Sequence, residues 1–133
     1  MKLSLPLSVV IPRKTKEDKV FALNLNVYRN SHHMTMNQAK ILWKATVEKL
    51  LSGRDIDLPS PPYLFTYTVF PGSGRAFDLG NVCPAVQKFT DDALQELQVI
   101  ANDNYKVIGA INYRFGAIDK ENPRVELEIT EWR

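Results

Sequence analysis

The sequence has little of several features that define whole classes of protein. It has a single cysteine among 133 residues, which excludes an intrachain disulfide and a cysteine-rich zinc site. No stretch approaches the ~18 apolar residues of a membrane span, and the first residues, MKLSLPLSVVIPRK, lack a signal-type apolar core and cleavage site. Seventeen Lys and Arg against fifteen Asp and Glu leave a net charge of only +2, unlike a strongly basic nucleic-acid tail. These absences predict a cytoplasmic protein that does not span a membrane.

Domains commonly span about 100 to 200 residues, so residues 1–133 are predicted to form one domain.

The N-terminal pattern predicts strands. Apolar side chains alternate loosely over residues 3–10 and more regularly over residues 21–27, which predicts two strands. The charged residues 13–19 between them predict a polar turn.

The first helix is predicted between two sequence signals. Thr35 and Gln38 have the spacing of a capping box, and Gly53 is a natural stop. The apolar positions recur at helical spacing: Met36, Ala39, Trp43, Val47 and Leu50. Lys40, Lys44 and Glu48 fall on the opposite face, which predicts a mainly basic, solvent-facing surface.

A second helix is predicted from about Pro84 to Leu97. Asn81 or Cys83 would cap it, and proline is favoured at a first helical position. Its apolar stripe consists of Val82, Val86, Phe89, Ala93 and Leu97.

Three further segments predict strands. Residues 63–70 are rich in β-branched and aromatic side chains. Residues 105–115 and 125–129 alternate with period two and predict a C-terminal hairpin whose outer face carries Glu126 and Glu128. The order ββαβαββ predicts an α/β (α+β) domain, with two main helices packed on a mixed sheet.

The usual nucleotide and metal motifs are missing. The glycines at positions 72 and 74 lack the spacing of a dinucleotide fingerprint or a P-loop, so no nucleotide cofactor is expected. His32 and His33 are adjacent but have no third metal ligand nearby in sequence. Cys83 has no nearby histidine that would activate it as a nucleophile.

Polar residues with metal-binding chemistry concentrate between positions 78 and 103. Lys88 and Asp92 are four residues apart and therefore share one helix face, while Asp78 precedes the helix and Asp103 follows it. Carboxylates with one lysine suit a hard cation such as Mg²⁺. The same residues also fit a helix cap, an i to i+4 ion pair and a turn, so both interpretations stay open.

These positions resemble a known motif. The RusA family of Holliday-junction resolvases, common in bacteriophages and prophages, has Asp-x-Asp-Asn, a Lys, Asp-Ala-Leu and an Asp-Asp pair. The corresponding residues are Asp78-Leu79-Gly80-Asn81, Lys88, Asp92-Ala93-Leu94, Asp103 and residues 125–131. The resemblance covers most of the chain and is strongest over residues 64–131.

The resemblance implies a RusA-like fold and a homodimer that binds four-way DNA junctions. It implies paired phosphodiester cleavage with Mg²⁺, or with Mn²⁺ as an alternative cation. The protein would then be a hydrolase of DNA recombination and repair, an endodeoxyribonuclease working in the host cytoplasm if it is encoded by a phage.

The resemblance also implies roles for particular residues. Asp78 and Asp103 become metal ligands and catalytic carboxylates, Lys88 positions the phosphate or water, and Asn81 supports the site. Asp92 is a further candidate catalytic carboxylate. Contacts with the DNA backbone are expected from surface loops and the first helix, namely from Arg29, His32, Lys40, Lys44, Arg75 and Lys106.

The sequence departs from the family pattern in three places. Gly80 and Asn102 stand where the pattern has acidic residues, and about four extra residues separate Asn81 from Lys88. Asp92, Asp91 or water could replace a missing ligand. The alternative function is therefore a catalytically weak or inactive relative that binds branched DNA or a partner protein. A third alternative, a small-molecule-binding domain, follows from the near-neutral charge.

Overall fold

The elements of the computed structural model, which describes residues 1–133, follow the order βββααβαββ. The strands are β1 (Lys2–Leu5), β2 (Ser8–Ile11), β3 (Lys19–Ala22), β4 (Tyr63–Phe70), β5 (Ile108–Phe115) and β6 (Arg124–Glu131). The helices are α1 (Leu25–Asn30), α2 (His33–Leu51) and α3 (Leu79–Glu96). This single α+β domain has the predicted mixed sheet and two long helices.

The main sheet has four strands in the order β1-β6-β4-β5. β4 is parallel to β5 and antiparallel to β6, and β1 pairs with β6 antiparallel. β2 and β3 form a separate antiparallel pair, called the β2–β3 arm (residues 8–22) below. The polar turn predicted between two N-terminal strands is therefore present in the arm.

The predicted C-terminal hairpin is wrong, because β5 and β6 do not pair with each other. β4 lies between them, and residues 116–123 carry the chain from one side of β4 to the other. β4 takes the centre because all its inward side chains are buried, whereas only Ile108 is buried in β5. Alternation identified both strands, although β5 begins at Ile108 rather than at residue 105, but alternation contains no information about strand partners. Glu126 and Glu128 do lie on the half-exposed outer face of β6.

The first predicted strand is divided in two. β1 ends at Leu5 and β2 begins at Ser8, on either side of Pro6, and the two strands belong to different sheets. Proline cannot donate to a strand ladder, which explains the break.

The second predicted strand ends at Ala22, five residues early, because α1 begins at Leu25. Asn24 caps α1, since its side-chain oxygen accepts the Val27 backbone N–H at 2.9 Å.

Helix α2 begins two residues before the predicted start. His32 is its N-cap, and the His32 Nδ1 atom accepts the Met34 N–H at 3.2 Å, so the capping box of Thr35 and Gln38 is not used. The end agrees with the prediction: α2 stops at Leu51, and Gly53 has a φ of 73°, as is usual for a glycine after a helix.

Helix α3 begins five residues before its predicted start. Its N-cap is Asp78, and Pro84 lies inside the helix rather than at its first position. Pro84 lacks the N–H that would bond to the Gly80 carbonyl, so α3 is without this one hydrogen bond of its backbone ladder. The C-terminal end at Glu96 is one residue from the predicted end.

Twenty-five buried side chains form one core between the helices and the sheet. Trp43 of α2 is 0% exposed, packs edge-on against Phe89 of α3, and donates from its indole N–H to Thr90 Oγ1 at 3.2 Å. These contacts hold α2 against α3 and fix the side of α3 that remains exposed. None of the three helices has the length and apolarity needed to span a membrane.

Candidate functional site

Asp78 and Asn81 form the start of α3. The Asp78 side chain is exposed and makes no capping hydrogen bond, while its backbone carbonyl accepts the Asn81 N–H at 2.9 Å. The Asp78 carboxylate is thus accessible for binding. Asn81 is half-buried in the first turn of the helix.

Asp103 lies in an exposed turn after α3. The Asn102 side-chain oxygen accepts the Asp103 N–H at 2.7 Å and the Asn104 N–H at 3.0 Å. Asn104 in turn accepts the Lys106 N–H at 3.0 Å. The asparagines therefore shape the turn, and the side chains of Asp103 and Lys106 are exposed.

The structure does not bring Asp78 and Asp103 together. Asp103 is near enough to Asp91 for its charge to act on that carboxyl group. Asp78 lies thirteen residues before Asp91, which corresponds to about 20 Å along the helix axis. Asp103 thus lies near the C-terminal half of α3, whereas Asp78 lies at the beginning of the helix. No group of three or more His, Cys, Asp or Glu side chains is arranged to hold a metal ion.

Lys88 lies in the C-terminal half of α3, the half that is nearer to Asp103. It is exposed, and its Nζ atom lies 5.9 Å from the centre of the Tyr28 ring. The Lys40 Nζ atom lies 6.0 Å from the centre of the same Tyr28 ring and 6.0 Å from the centre of the Phe89 ring. Two cations therefore meet over α1 beside the candidate carboxylates.

The predicted basic face of α2 is not simply open to solvent. Lys40 Nζ lies 3.8 Å from Asp92, and Lys44 Nζ lies 3.2 Å from Glu96, so both half-exposed lysines bridge α2 to α3. Partly exposed ion pairs contribute up to about 1 kcal/mol and open readily to other partners. The negative charge of the candidate carboxylate Asp92 is therefore partly neutralised by Lys40.

The remaining candidate DNA-binding residues are dispersed. Arg29 lies in the last turn of α1, His32 caps α2, and Arg75 follows β4 in an exposed loop. The ring centres of His32 and His33 lie 4.2 Å apart. Arg75 borders an apolar cavity of about 370 Å³ whose lining includes Phe77 and Phe115.

A buried polar cluster between α3 and the sheet was not predicted as a unit. The Tyr113 hydroxyl donates to Gln87 Oε1, and the Gln87 amide donates to Asp91 Oδ2 at 3.4 Å. Asp91 is only 4% exposed, and its Oδ1 atom has no hydrogen-bond partner; the buried Tyr67 hydroxyl also has none. Gln87 and Asp91 are four residues apart on the face that also carries Cys83, and this spacing was the available sequence signal.

The cluster changes the titration of Asp91. Burial raises the pKa of Asp91 to about 7, the Gln87 hydrogen bond lowers it, the charges of Asp103 and Asp92 raise it, and Lys88 lowers it. Burial and then the charge of Asp91 hold the pKa of Tyr67 well above its usual range. Carboxyl groups with raised pKa values beside other carboxylates are typical of catalytic and cation-binding sites.

Neither protein-family models nor curated protein sequences gave a match to this chain. The resemblance to the RusA family therefore stays a prediction that depends on the motif residues.

Proposed function

We propose that this chain is a RusA-like, Mg²⁺-dependent endodeoxyribonuclease. It would bind four-way DNA junctions as a homodimer and resolve each junction by two paired incisions. The main structural support is Asp91, whose buried carboxyl group has an unpartnered oxygen and feels the charge of Asp103. An unsatisfied buried polar atom requires an explanation, and a cation-binding role supplies one.

Asp91 in the second half of α3 and Asp103 in the turn after the helix fit a Mg²⁺ site better than Asp78 does. Mg²⁺ is usually held by one or two carboxylates, with water completing its octahedron. Asp103 and Asp91 would supply those carboxylates, because the structure places Asp78 about 20 Å along the helix from Asp91. Bound Mg²⁺ would make water nucleophilic and neutralise charge on the phosphate.

The chain itself would hold the scissile phosphate. Lys88 is exposed beside Asp91, so its ammonium group can neutralise the phosphate charge that develops during cleavage. Lys40 approaches the same aromatic ring, Tyr28, and would add a second cation once Asp92 releases it.

A second candidate function is binding of branched DNA without cleavage. It is favoured by the ion pair of Asp92 with Lys40, and by Gly80 and Asn102 at positions where the RusA pattern is acidic. In this case the same surface would bind DNA, but no phosphodiester bond would be hydrolysed.

A gel assay with a synthetic four-way junction separates the two functions. With Mg²⁺, the parental chain is expected to make symmetric nicks, and with EDTA it should only bind. Asp103→Asn keeps the side-chain shape and removes its charge, so cleavage should collapse while junction affinity holds or improves. Asp57→Asn, which removes an exposed carboxylate in the loop before β4, is the matched control.

Each outcome of this assay has a clear interpretation. Binding without nicks selects the second candidate function, and the absence of both contradicts DNA-junction binding altogether. Cleavage by Asp103→Asn at the parental rate under saturating Mg²⁺ would contradict the role of Asp103. Residues 102–104 would then be an ordinary turn without a role in cleavage.

A further inference from the structure

The net positive charge of the chain resides in one short segment. The tip of the β2–β3 arm, called the arm tip (residues 12–19) below, contains four cations and two carboxylates, a net charge of +2. The other 13 cations and 13 carboxylates of the chain cancel. The cations of the arm tip are Arg13, Lys14, Lys16 and Lys19.

The cations of the arm tip are exposed and have no carboxylate partners. Every residue of the arm tip is exposed, and none takes part in an ion pair. The Arg13 Nε atom donates to the Glu17 carbonyl oxygen at 2.7 Å, which closes the turn. By contrast, paired cations occur elsewhere in the chain, at Lys2, Lys40, Lys44, Arg124 and Arg133.

The arm is anchored firmly at its base. Val9, Ile11 and Phe21 are at most 4% exposed and belong to the core, while four residue pairs join β2 to β3. The Phe21 ring stacks on Phe89 of α3 at 5.8 Å, and Phe89 is the neighbour of Lys88. The base of the arm is therefore packed against the helix that carries the candidate site.

The outward face of the arm carries two exposed valines. Val10 and Val20 are paired across the two strands and are 53% and 63% exposed. A two-stranded antiparallel ribbon has the dimensions of an element that enters the major groove of DNA, with the groove walls formed by phosphates.

We propose that the arm tip binds the phosphate backbone of DNA, with Lys14 and Lys16 as its principal contacts. This inference rests on the proposed function and adds to it a contact surface outside the residues predicted from the sequence. Free cations release condensed counterions when they meet phosphates, which gives a salt-dependent affinity without base recognition. Because the base of the arm packs on Phe89 of α3, the helix that carries Lys88 and Asp91, DNA held by the arm tip would be positioned relative to the candidate site.

The test compares two double variants with the same net charge. Lys14→Gln/Lys16→Gln alters the arm tip, and Lys49→Gln/Lys120→Gln removes two exposed, unpaired lysines elsewhere. Arg13 is kept because it closes the turn. Affinities for plain duplex DNA, for a four-way junction and for anionic lipid vesicles are measured in EDTA, from about 50 to about 200 mM salt. Circular dichroism checks that both variants melt like the parental chain.

The arm-tip variant should lose affinity for both DNA forms by at least about tenfold at about 100 mM salt. The slope of log affinity against log salt should fall in magnitude by about 2, one for each lysine. The control variant should stay close to the parental slope.

The two proposals fail in different ways. Equal losses in both variants, or loss of vesicle binding alone, would overturn the arm-tip contact while junction binding could persist. If the parental chain binds duplex and junction equally and only the arm-tip variant loses both, the arm-tip contact stands and junction recognition is contradicted. A parental chain that binds neither DNA form overturns both proposals.

Discussion

The Tyr113 hydroxyl on β5 donates a hydrogen bond to the side-chain oxygen of Gln87 on α3. This bond determines the orientation of the Gln87 amide, so its NH₂ group faces Asp91 at 3.4 Å. One strand at the edge of the sheet thereby positions a buried carboxyl group on the helix above it. Asp91 therefore accepts a hydrogen bond from Gln87 and is also exposed to the charge of Asp103.

Asp91→Asn should change how stability depends on pH. The pKa of Asp91 is about 7 in the folded protein, above its ordinary value of 3.8, so the folded state binds this proton more tightly than the unfolded state. The stabilising contribution is therefore complete below about pH 4 and is lost as the pH rises through about 7. Asn keeps the shape and the Gln87 hydrogen bond, so the variant should be more stable than the parental chain at about pH 8, by on the order of a few kcal/mol.

Urea unfolding in EDTA at a series of pH values measures this difference. The difference in unfolding free energy between Asp91→Asn and the parental chain should grow with pH, and Asp57→Asn, which removes an exposed carboxylate, is the control. Parallel profiles for the parental chain and Asp91→Asn would show that Asp91 does not titrate near neutral pH.

Gly80→Asp should stabilise the protein. Gly80 is exposed in the first turn of α3, has no positive φ, and an added Cβ atom would meet nothing within 4 Å. Replacing a helical glycine, and adding a negative charge near a helix N-terminus, should together contribute about 1 kcal/mol. Thermal unfolding measures the gain, and Gly80→Asn separates the charge from the loss of glycine.

The same variant tests the position of the metal site. Because Asp78 lies far along α3 from Asp91, Gly80→Asp should leave the Mg²⁺ concentration for half-maximal cleavage unchanged. If that concentration falls, Asp78 and position 80 belong to the metal site, as the RusA pattern implies.

Glu96→Gln should strengthen DNA binding. The Glu96 carboxylate lies 3.2 Å from Lys44, and its removal frees this lysine for a phosphate. The salt slope of binding should steepen by about 1, while stability falls by less than about 1 kcal/mol. Glu121→Gln, in an exposed loop, is the control for net charge. Identical salt slopes in the two variants would mean that Lys44 does not contact DNA, and Lys44→Ala should then bind normally.

The protein should be a homodimer in solution. Each chain has one candidate carboxylate site, and resolving a junction takes two paired incisions, which a two-fold dimer provides. Light scattering should therefore give twice the 15.2 kDa of one chain at about micromolar concentration. A mass of one chain under these conditions would contradict the dimer.

The sequence by itself determined the kinds of elements and most of the core. Helical spacing placed Ala39, Trp43 and Val47 on the buried side of α2, and period two placed Val125 and Ile129 on the inner face of β6. These patterns are reliable because a residue's side of an element depends on the local backbone period alone. Gly53 follows the end of α2 for an equally local reason, because glycine adopts a positive φ without a steric penalty.

Only the tertiary structure decided which elements and side chains meet. The insertion of β4 between β5 and β6 and the ion pairs of Lys40 and Lys44 depend on contacts between distant parts of the chain. In the sequence, Asp91 is one polar residue among several, and only the packing of α3 against the sheet buries it. Burial and pairing partners are properties of the whole fold, so a local pattern can name the residues of a site but cannot place them side by side.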